Sequence, residues 1–168
     1  MKSWGERVIG AVKLDVDTYE EVEADESATM QAAAVVVLAA IAQAVGASGA
    51  GINPIGAAVG ALLGWALWSG VTYLIGAKLF NGIATWGELL RTLGFAQAPG
   101  FLYALAFIPG LGWLVRAVAA IWILIAGIIA IRQALDITTG KAIAVAVIGW
   151  LLLVLPMMLL YGLGLGAA

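Results

Sequence analysis

The chain has 168 residues, of which 64% are hydrophobic and 11% charged, and its formal net charge is −2. Soluble domains are about 45–50% apolar and about 25% charged, so this composition excludes a water-soluble globular domain and indicates an integral membrane protein. The chain has no cysteine and no histidine, which excludes disulfides, thiol nucleophiles and histidine-based catalytic or metal sites.

The charges are segregated along the sequence. Residues 1–27 hold eight of the ten acids and three of the eight bases. We therefore divide the chain into an acidic cytoplasmic segment, residues 1–27, and a membrane domain, residues 28–168. No basic patch of the kind that binds nucleic acid is found. No set of catalytic, cofactor-binding or metal-binding residues is identified, so we expect no cofactor and a non-enzymatic function.

Residues 4–23 carry an apolar stripe at helical spacing, formed by Val8, Val12, Val16, Tyr19 and Val22. The stripe predicts a short amphipathic helix, with Trp4 as an anchor at the membrane interface. Two placements stay open. The helix lies on the membrane surface, where anionic lipids would repel its acids, or it rests on the protein's own inner loops. The segment KLDVD also alternates as a strand does.

A membrane-spanning helix needs about 20 mostly apolar residues. Five segments are candidates: residues 30–47, 55–77, 89–108, 117–131 and 142–161. The sequence therefore predicts an all-α, polytopic membrane bundle of five transmembrane helices, preceded by the short amphipathic helix.

Two Pro-Gly pairs occur in this region: Pro99-Gly100 lies inside the third segment, and Pro109-Gly110 follows directly after it. Pro99 removes a helix hydrogen bond and clashes with the carbonyl four residues back, which a membrane helix tolerates where its neighbours satisfy that carbonyl. With Gly100, it predicts a Pro-kinked third span. Pro109 and Gly110 predict a tight turn before the fourth span. The alternative is a re-entrant loop, which leaves four spans.

Positive charge favours the five-span topology. Cytoplasmic loops are enriched in Lys and Arg. Five spans with a cytoplasmic N-terminus put seven bases inside and only Arg116 outside, whereas four spans put six inside and two outside. We expect a multi-pass protein of the plasma membrane with its C-terminus outside.

Gly56, Gly60 and Gly64 recur every four residues on one face of the second span. Glycines at this spacing let two helix backbones approach closely. We expect this face to pack against another span of the same chain, and the alternative is an interface between subunits.

Four charged residues lie at span ends. Arg116 and Arg132 flank the fourth span about 24 Å apart, and we expect them to anchor it at the two interfaces; an anionic substrate site is the alternative. Glu88 and Arg91, three residues apart, are expected to form an interfacial ion pair, with a gate as the functional alternative.

Uncharged polar side chains lie inside the spans: Gln43, Ser69, Thr72, Tyr73, Gln97, Tyr103 and Tyr161. We expect most of them to form hydrogen bonds between helices. No carboxylate lies in the middle of a span, which argues against a proton-coupled transporter.

Three segments in order resemble one family: YEEVEADESATMQAAAVVVLAA, TWGELLRTLGFAQAPGFLYAL and RQALDITTGKAIAVAV. They are similar to the prokaryotic branch of the Yip-domain family, the Ypt/Rab-GTPase-interacting membrane proteins, over residues 19–160. The resemblance implies five spans, a cytoplasmic N-terminus and an outside C-terminus. Eukaryotic members are linked to vesicle traffic and form hetero-oligomers. Their Asp-Leu-Tyr-Gly-Pro motif is absent here, so no functional residue is carried over.

These observations predict a membrane scaffold or adaptor of the Yip-domain type, acting in membrane organisation or protein trafficking. Its expected partners are the lipid bilayer and other membrane proteins in a homo- or hetero-oligomer. The alternative is a small permease or channel for a neutral or lipid-like solute, which requires a polar cavity lined by the in-span side chains.

Overall fold

A computed structural model describes residues 1–47 and 53–162 of the chain. Within these ranges the regular structure is helical: α1 Trp4–Val12, α2 Val16–Ala24, α3 Ala28–Gly46, α4 Pro54–Leu79, α5 Trp86–Phe95, a 3-10 helix Ala98–Phe107, α6 Gly112–Leu135 and α7 Thr139–Gly162. Four helices, α3, α4, α6 and α7, are long and apolar enough to cross a membrane. The predicted all-helical membrane fold is thus confirmed at this level.

The N-terminal segment forms two helices instead of the single helix that was predicted. Helix α1 ends because Leu14 adopts a left-handed conformation with φ of 61°. The Leu14 amide donates to the Ala11 carbonyl, and the Asp15 amide to the Gly10 carbonyl, which is the Schellman arrangement that closes a helix. The chain reverses there, so α1 and α2 pack against each other. We call α1 and α2 together the cap.

The third predicted segment is divided at Pro99. The ring of Pro99 would clash with the carbonyl of Phe95, four residues back, and α5 ends at Phe95. A 3-10 helix then carries the chain from Ala98 to Phe107. Instead of one kinked α-helix, the segment therefore contains an α-helix and a 3-10 helix in series. Such a long 3-10 run is uncommon.

Small residues let this segment lie against α3. A Cβ atom on Gly94 would lie 2.7 Å from that of Ala32, near the start of α3. A Cβ atom on Gly46, the last residue of α3, would lie only 1.9 Å from the Tyr103 carbonyl oxygen. Residues 94–103 therefore run beside α3, in the same direction as α3.

The two ends of α6 fix its direction in the bundle. Arg116 Nη2 donates to the Gly46 carbonyl at 3.1 Å, so the start of α6 lies beside the end of α3. The side chain of Leu135, at the end of α6, packs where a Cβ on Gly76 of α4 would stand. Helix α6 thus runs antiparallel to α3 and parallel to α4.

A tight turn joins the 3-10 helix to α6. The Leu111 amide donates to the Ile108 carbonyl at 3.1 Å, and Gly110 has φ of +79°. Pro109 and Gly110 occupy the two central positions, as a type II turn prefers.

Candidate functional site

A buried arginine holds the cap together. The Arg7 side chain is 1% exposed, and its guanidinium donates to Glu21 at 2.9 and 3.1 Å, to Asp25 at 2.7 Å and to Gln31 at 3.0 Å. Burial opposes the charge of Arg7, but the bonds to Asp25 and Glu21 outweigh it and raise its pKa. Hydrogen bonds from Ser27 and then from Arg7 hold the pKa of Asp25 below its usual range. Arg7 therefore ties α1 to α2 and to the first turn of α3.

A second arginine fastens the cap to the bundle. Arg91 of α5 is 7% exposed, and its Nε donates to the carbonyls of Val22 and Glu23 at 3.0 and 2.9 Å. Its Nη2 also donates to the Glu23 carbonyl. These carbonyls belong to the last turn of α2, where a helix has no internal donors and where positive charge is favourable. Arg91 thus caps α2 from a position 68 residues along the chain.

Helix α6 contributes further contacts to the cap. The Trp122 indole N–H donates to the Val12 carbonyl, at the end of α1, at 2.9 Å. Gln133 Nε2 donates to the Glu20 carboxylate at 2.9 Å. The amphipathic segment therefore packs against helices α5 and α6 of the protein itself, and its position relative to the membrane surface stays a prediction.

One cap carboxylate has an unusual environment. Burial, together with the nearby negative charges of Glu88 and Asp136, raises the pKa of Glu23 to about 7. The Arg91 charge acts in the opposite direction but is the smaller effect. Glu23 is therefore partly protonated near neutral pH.

The expected ion pair between Glu88 and Arg91 is not formed. Glu88 instead accepts from the Thr85 amide at 2.8 Å, within a capping box at the start of α5. Arg91 lies under α2, where it donates to the carbonyls of Val22 and Glu23. Glu88 thus bonds to a free backbone amide at the start of α5, and Arg91 bonds to free carbonyls at the end of α2. Their spacing of three residues does not indicate that these contacts would compete with an ion pair.

Arg116 and Arg132 lie at opposite ends of α6, as their positions in the sequence require. Arg116 is exposed and bonds to the end of α3. Arg132 is half-buried, and its Nε donates to Gln133 at 2.7 Å. The structure therefore does not bring the two arginines together.

A groove runs between α3, α4 and the 3-10 helix. It consists of two adjoining cavities of about 220 and 380 Å³ that share Ala40, Gln43 and Ala61. The outer cavity reaches Ala47 and Arg116, and the inner one reaches Trp65, Trp68, Gln97 and Tyr103. We call this feature the α3–α4 groove. It is the place where the in-span polar side chains Gln43, Gln97 and Tyr103 meet.

The expected hydrogen bonds between in-span polar residues are absent from the described part of the chain. The hydroxyls of Ser69 and Thr72 are buried with no hydrogen-bond partner. Gln43, Gln97 and Tyr103 line the groove instead of bonding to other helices. The side chain of Tyr161 lies outside the described residues. The polar groups therefore give the groove a mixed lining, and the sequence pattern did not indicate that they converge.

The glycine face of α4 is open. Gly56, Gly60 and Gly64 are exposed, and a Cβ atom on Gly60 or Gly64 would meet no atom within 4 Å. Among the described residues no helix of the chain packs directly on these glycines, contrary to the expected internal contact, although Gly64 lines the inner cavity of the α3–α4 groove. The face is free for a helix of another protein or for lipid.

Sequence reasoning missed Arg7 and Trp122 as cap contacts. A weak signal for Arg7 was present, since Glu21 and Asp25 are four residues apart and share one helix face. Nothing in the sequence pattern singled out Trp122 as a donor to the end of α1.

Comparison with known families gives a match over most of the chain. The family model of the Yip1 domain matches residues 16–161, from the start of α2 into the last turn of α7. No curated protein and no solved structure matches the chain.

Proposed function

The chain belongs to the Yip1 domain family, and we propose that it acts as a non-enzymatic membrane scaffold or adaptor in membrane organisation or protein trafficking. The family assignment made from three sequence segments is confirmed, while its prokaryotic branch stays a prediction. The observation that carries the proposal is the cap, which Arg7 and Arg91 fix to the membrane helices. A fixed extramembrane surface can present residues to a partner without first losing conformational entropy.

The surface of the cap is suited to a basic partner. Its exposed acids are Glu6, Asp17 and Glu20, and the exposed Glu26 lies just after α2. Opposite charge on a partner would speed association and select orientation. The strongly held ionic groups, Arg7 and Arg91, are used in internal contacts, which supports a structural role for them over a catalytic one.

We propose that the protein crosses the plasma membrane five times, with residues 1–27 cytoplasmic, residues 28–168 forming the membrane domain, and the C-terminus outside. Three observations support this topology. Positive charge is concentrated on the proposed inner side, residues 94–103 run beside α3 in its own direction, and α6 begins beside the end of α3. The α5 and 3-10 segment would then be the third crossing.

We also propose that the glycine face of α4 packs against another membrane protein or a second copy of the chain. Its three glycines at four-residue spacing are the pattern for close helix approach, and no described helix of the chain covers them.

Photo-cross-linking in native membranes tests the adaptor role. We place a photoreactive residue at Asp17, on the exposed face of α2, and a control at Leu152, an exposed apolar residue of α7. We expect a discrete protein adduct at Asp17, lost on Glu20→Lys, and lipid adducts only at Leu152. Lipid adducts alone at both positions would contradict the proposal. A protein adduct at Asp17 that persists in the Glu20→Lys variant would also contradict it.

A second function, a small permease, is favoured by the α3–α4 groove, which brings together three of the in-span polar side chains, those of Gln43, Gln97 and Tyr103. Trp68 and Gln97 also line a cavity of about 330 Å³ between α6 and α7, so these two side chains separate the two spaces. Under this function, Trp68→Ala would join them and speed glycerol entry into liposomes. Equal entry rates with wild type, variant and no protein contradict it.

A further inference from the structure

The α3–α4 groove has the length of one lipid leaflet. Along α3 it extends from Val36 to Ala47, a rise of eleven residue steps or about 16 Å. Half of the ~30 Å hydrocarbon layer is about 15 Å. Its outer end lies at Ala47, directly after the end of α3 that is away from the cap.

A positive charge lies at the outer end of the groove. Arg116 is exposed and lines the outer cavity. Among the described residues its guanidinium makes one hydrogen bond, to the Gly46 carbonyl, and no carboxylate pairs with it. An Arg has five N–H donors, so most of them remain available to an anion such as a phosphate.

The groove behind this charge has a mixed lining. Gln43 lies three residues below Gly46, about 4.5 Å into the groove, where the ester carbonyls of a lipid follow its phosphate. Small apolar residues such as Ala40 and Ala61, together with Trp65 and Trp68, form most of the deeper wall, and the polar side chains of Gln97 and Tyr103 lie among them. A charge at the mouth, an amide below it and a mostly apolar wall beyond follow the order of the parts of a phospholipid.

From this order we propose that the α3–α4 groove binds one anionic phospholipid, with its phosphate on Arg116, its ester region beside Gln43 and one acyl chain along Ala61. A helix of a second copy is about 10–12 Å across, which is wider than the spheres of about 7.5 and 9 Å in diameter that have the volumes of the two cavities, 220 and 380 Å³. Free phosphate would use only Arg116 and leave the groove without an occupant. The proposal goes beyond the scaffold role and does not depend on it.

Lipid photo-cross-linking tests this site. The purified full chain is placed in nanodiscs with phosphatidylglycerol that carries a diazirine on one acyl chain, and adducts are mapped by mass spectrometry. We expect adducts concentrated in the groove on Trp65 and Tyr103. Removing one cationic contact at a membrane surface weakens binding about fivefold, so Arg116→Gln should reduce these adducts about fivefold. Arg132→Gln, which removes an Arg from the other end of α6, should leave them unchanged.

A second pair of variants keeps the test decisive if Arg116→Gln disturbs folding. Ala61→Phe fills the groove and should abolish the adducts, whereas Val59→Phe adds the same ring on an exposed position of α4 and should not. A diazirine phosphatidylcholine should give weaker labelling, and inorganic phosphate should not displace the lipid. Adducts spread evenly over the exposed helices, adducts indifferent to Ala61→Phe, or displacement by phosphate alone would overturn the proposal.

Discussion

Replacing Arg91 with Leu should release the cap while leaving the membrane helices folded. Arg91 is 7% exposed and satisfies two carbonyls at the end of α2, those of Val22 and Glu23. A hydrogen bond to a charged group contributes about 1.5–3 kcal/mol. Because Glu23 is only half-buried, water can replace part of the loss, and we take the lower figure for each carbonyl. The variant should then lose about 3 kcal/mol of cap docking.

Hydrogen exchange in detergent measures this loss. A change of 1.4 kcal/mol is tenfold in an equilibrium constant, so the open state of the cap should be populated about 100-fold more. Backbone amides of α1 and α2 should exchange faster by about that factor, while those of α3 should not change. Arg91→Lys keeps the charge but not the planar fork and should give an intermediate rate. Unchanged exchange in α1 and α2, or equal acceleration throughout the bundle, would show that Arg91 does not hold the cap on the membrane helices.

Three further variants test other contacts. Gly46→Leu should lower the melting temperature in detergent, because its Cβ would collide with the Tyr103 carbonyl oxygen. Gly60→Leu should leave the melting temperature of the isolated monomer unchanged, because no atom lies within 4 Å of a Cβ at that position. Equal melting temperatures of the two variants would contradict this difference. The pKa of Glu23 is about 7 against 4.5 for a free side chain, so ionisation of Glu23 lowers the stability of the folded protein as the pH rises from 4.5 to 7. The Glu23→Gln variant should therefore have a higher melting temperature than wild type above pH 7 and the same melting temperature below pH 4.5. A difference in melting temperature that does not change with pH would be inconsistent with the raised pKa. Trp122→Phe should weaken cap docking by about 1 kcal/mol and speed exchange in α1 alone; unaltered exchange there would mean that the indole bond contributes nothing.

Hydropathy and helical periodicity predicted the four long helices well. A span has to be long and apolar to cross a bilayer, and this requirement is local in sequence. The division of the cap into α1 and α2 was not predicted because Leu14 holds a left-handed position that glycine usually fills. No turn signal therefore marked the break.

The candidate site was less predictable because it depends on contacts between distant residues. Arg91 and Glu88 are close in sequence, so a local pair was expected, but the carbonyls at the end of α2 compete for the arginine. The convergence of Gln43 and Gln97 on one groove depends on how the 3-10 helix packs against α3. Residue spacing reports which face a side chain occupies, and it does not report which helix will cover that face.

A five-crossing topology with the fixed acidic cap in the cytoplasm requires a crossing between α4 and α6. The chain has no cysteine, so single cysteines can be placed at the exposed positions Lys78 and Leu111, which bracket that segment. A membrane-impermeant maleimide applied to intact cells should label Leu111→Cys, and should label Lys78→Cys only after permeabilisation. Labelling of both positions from the same side would contradict the account, because residues 79–110 would then enter and leave the membrane on one face.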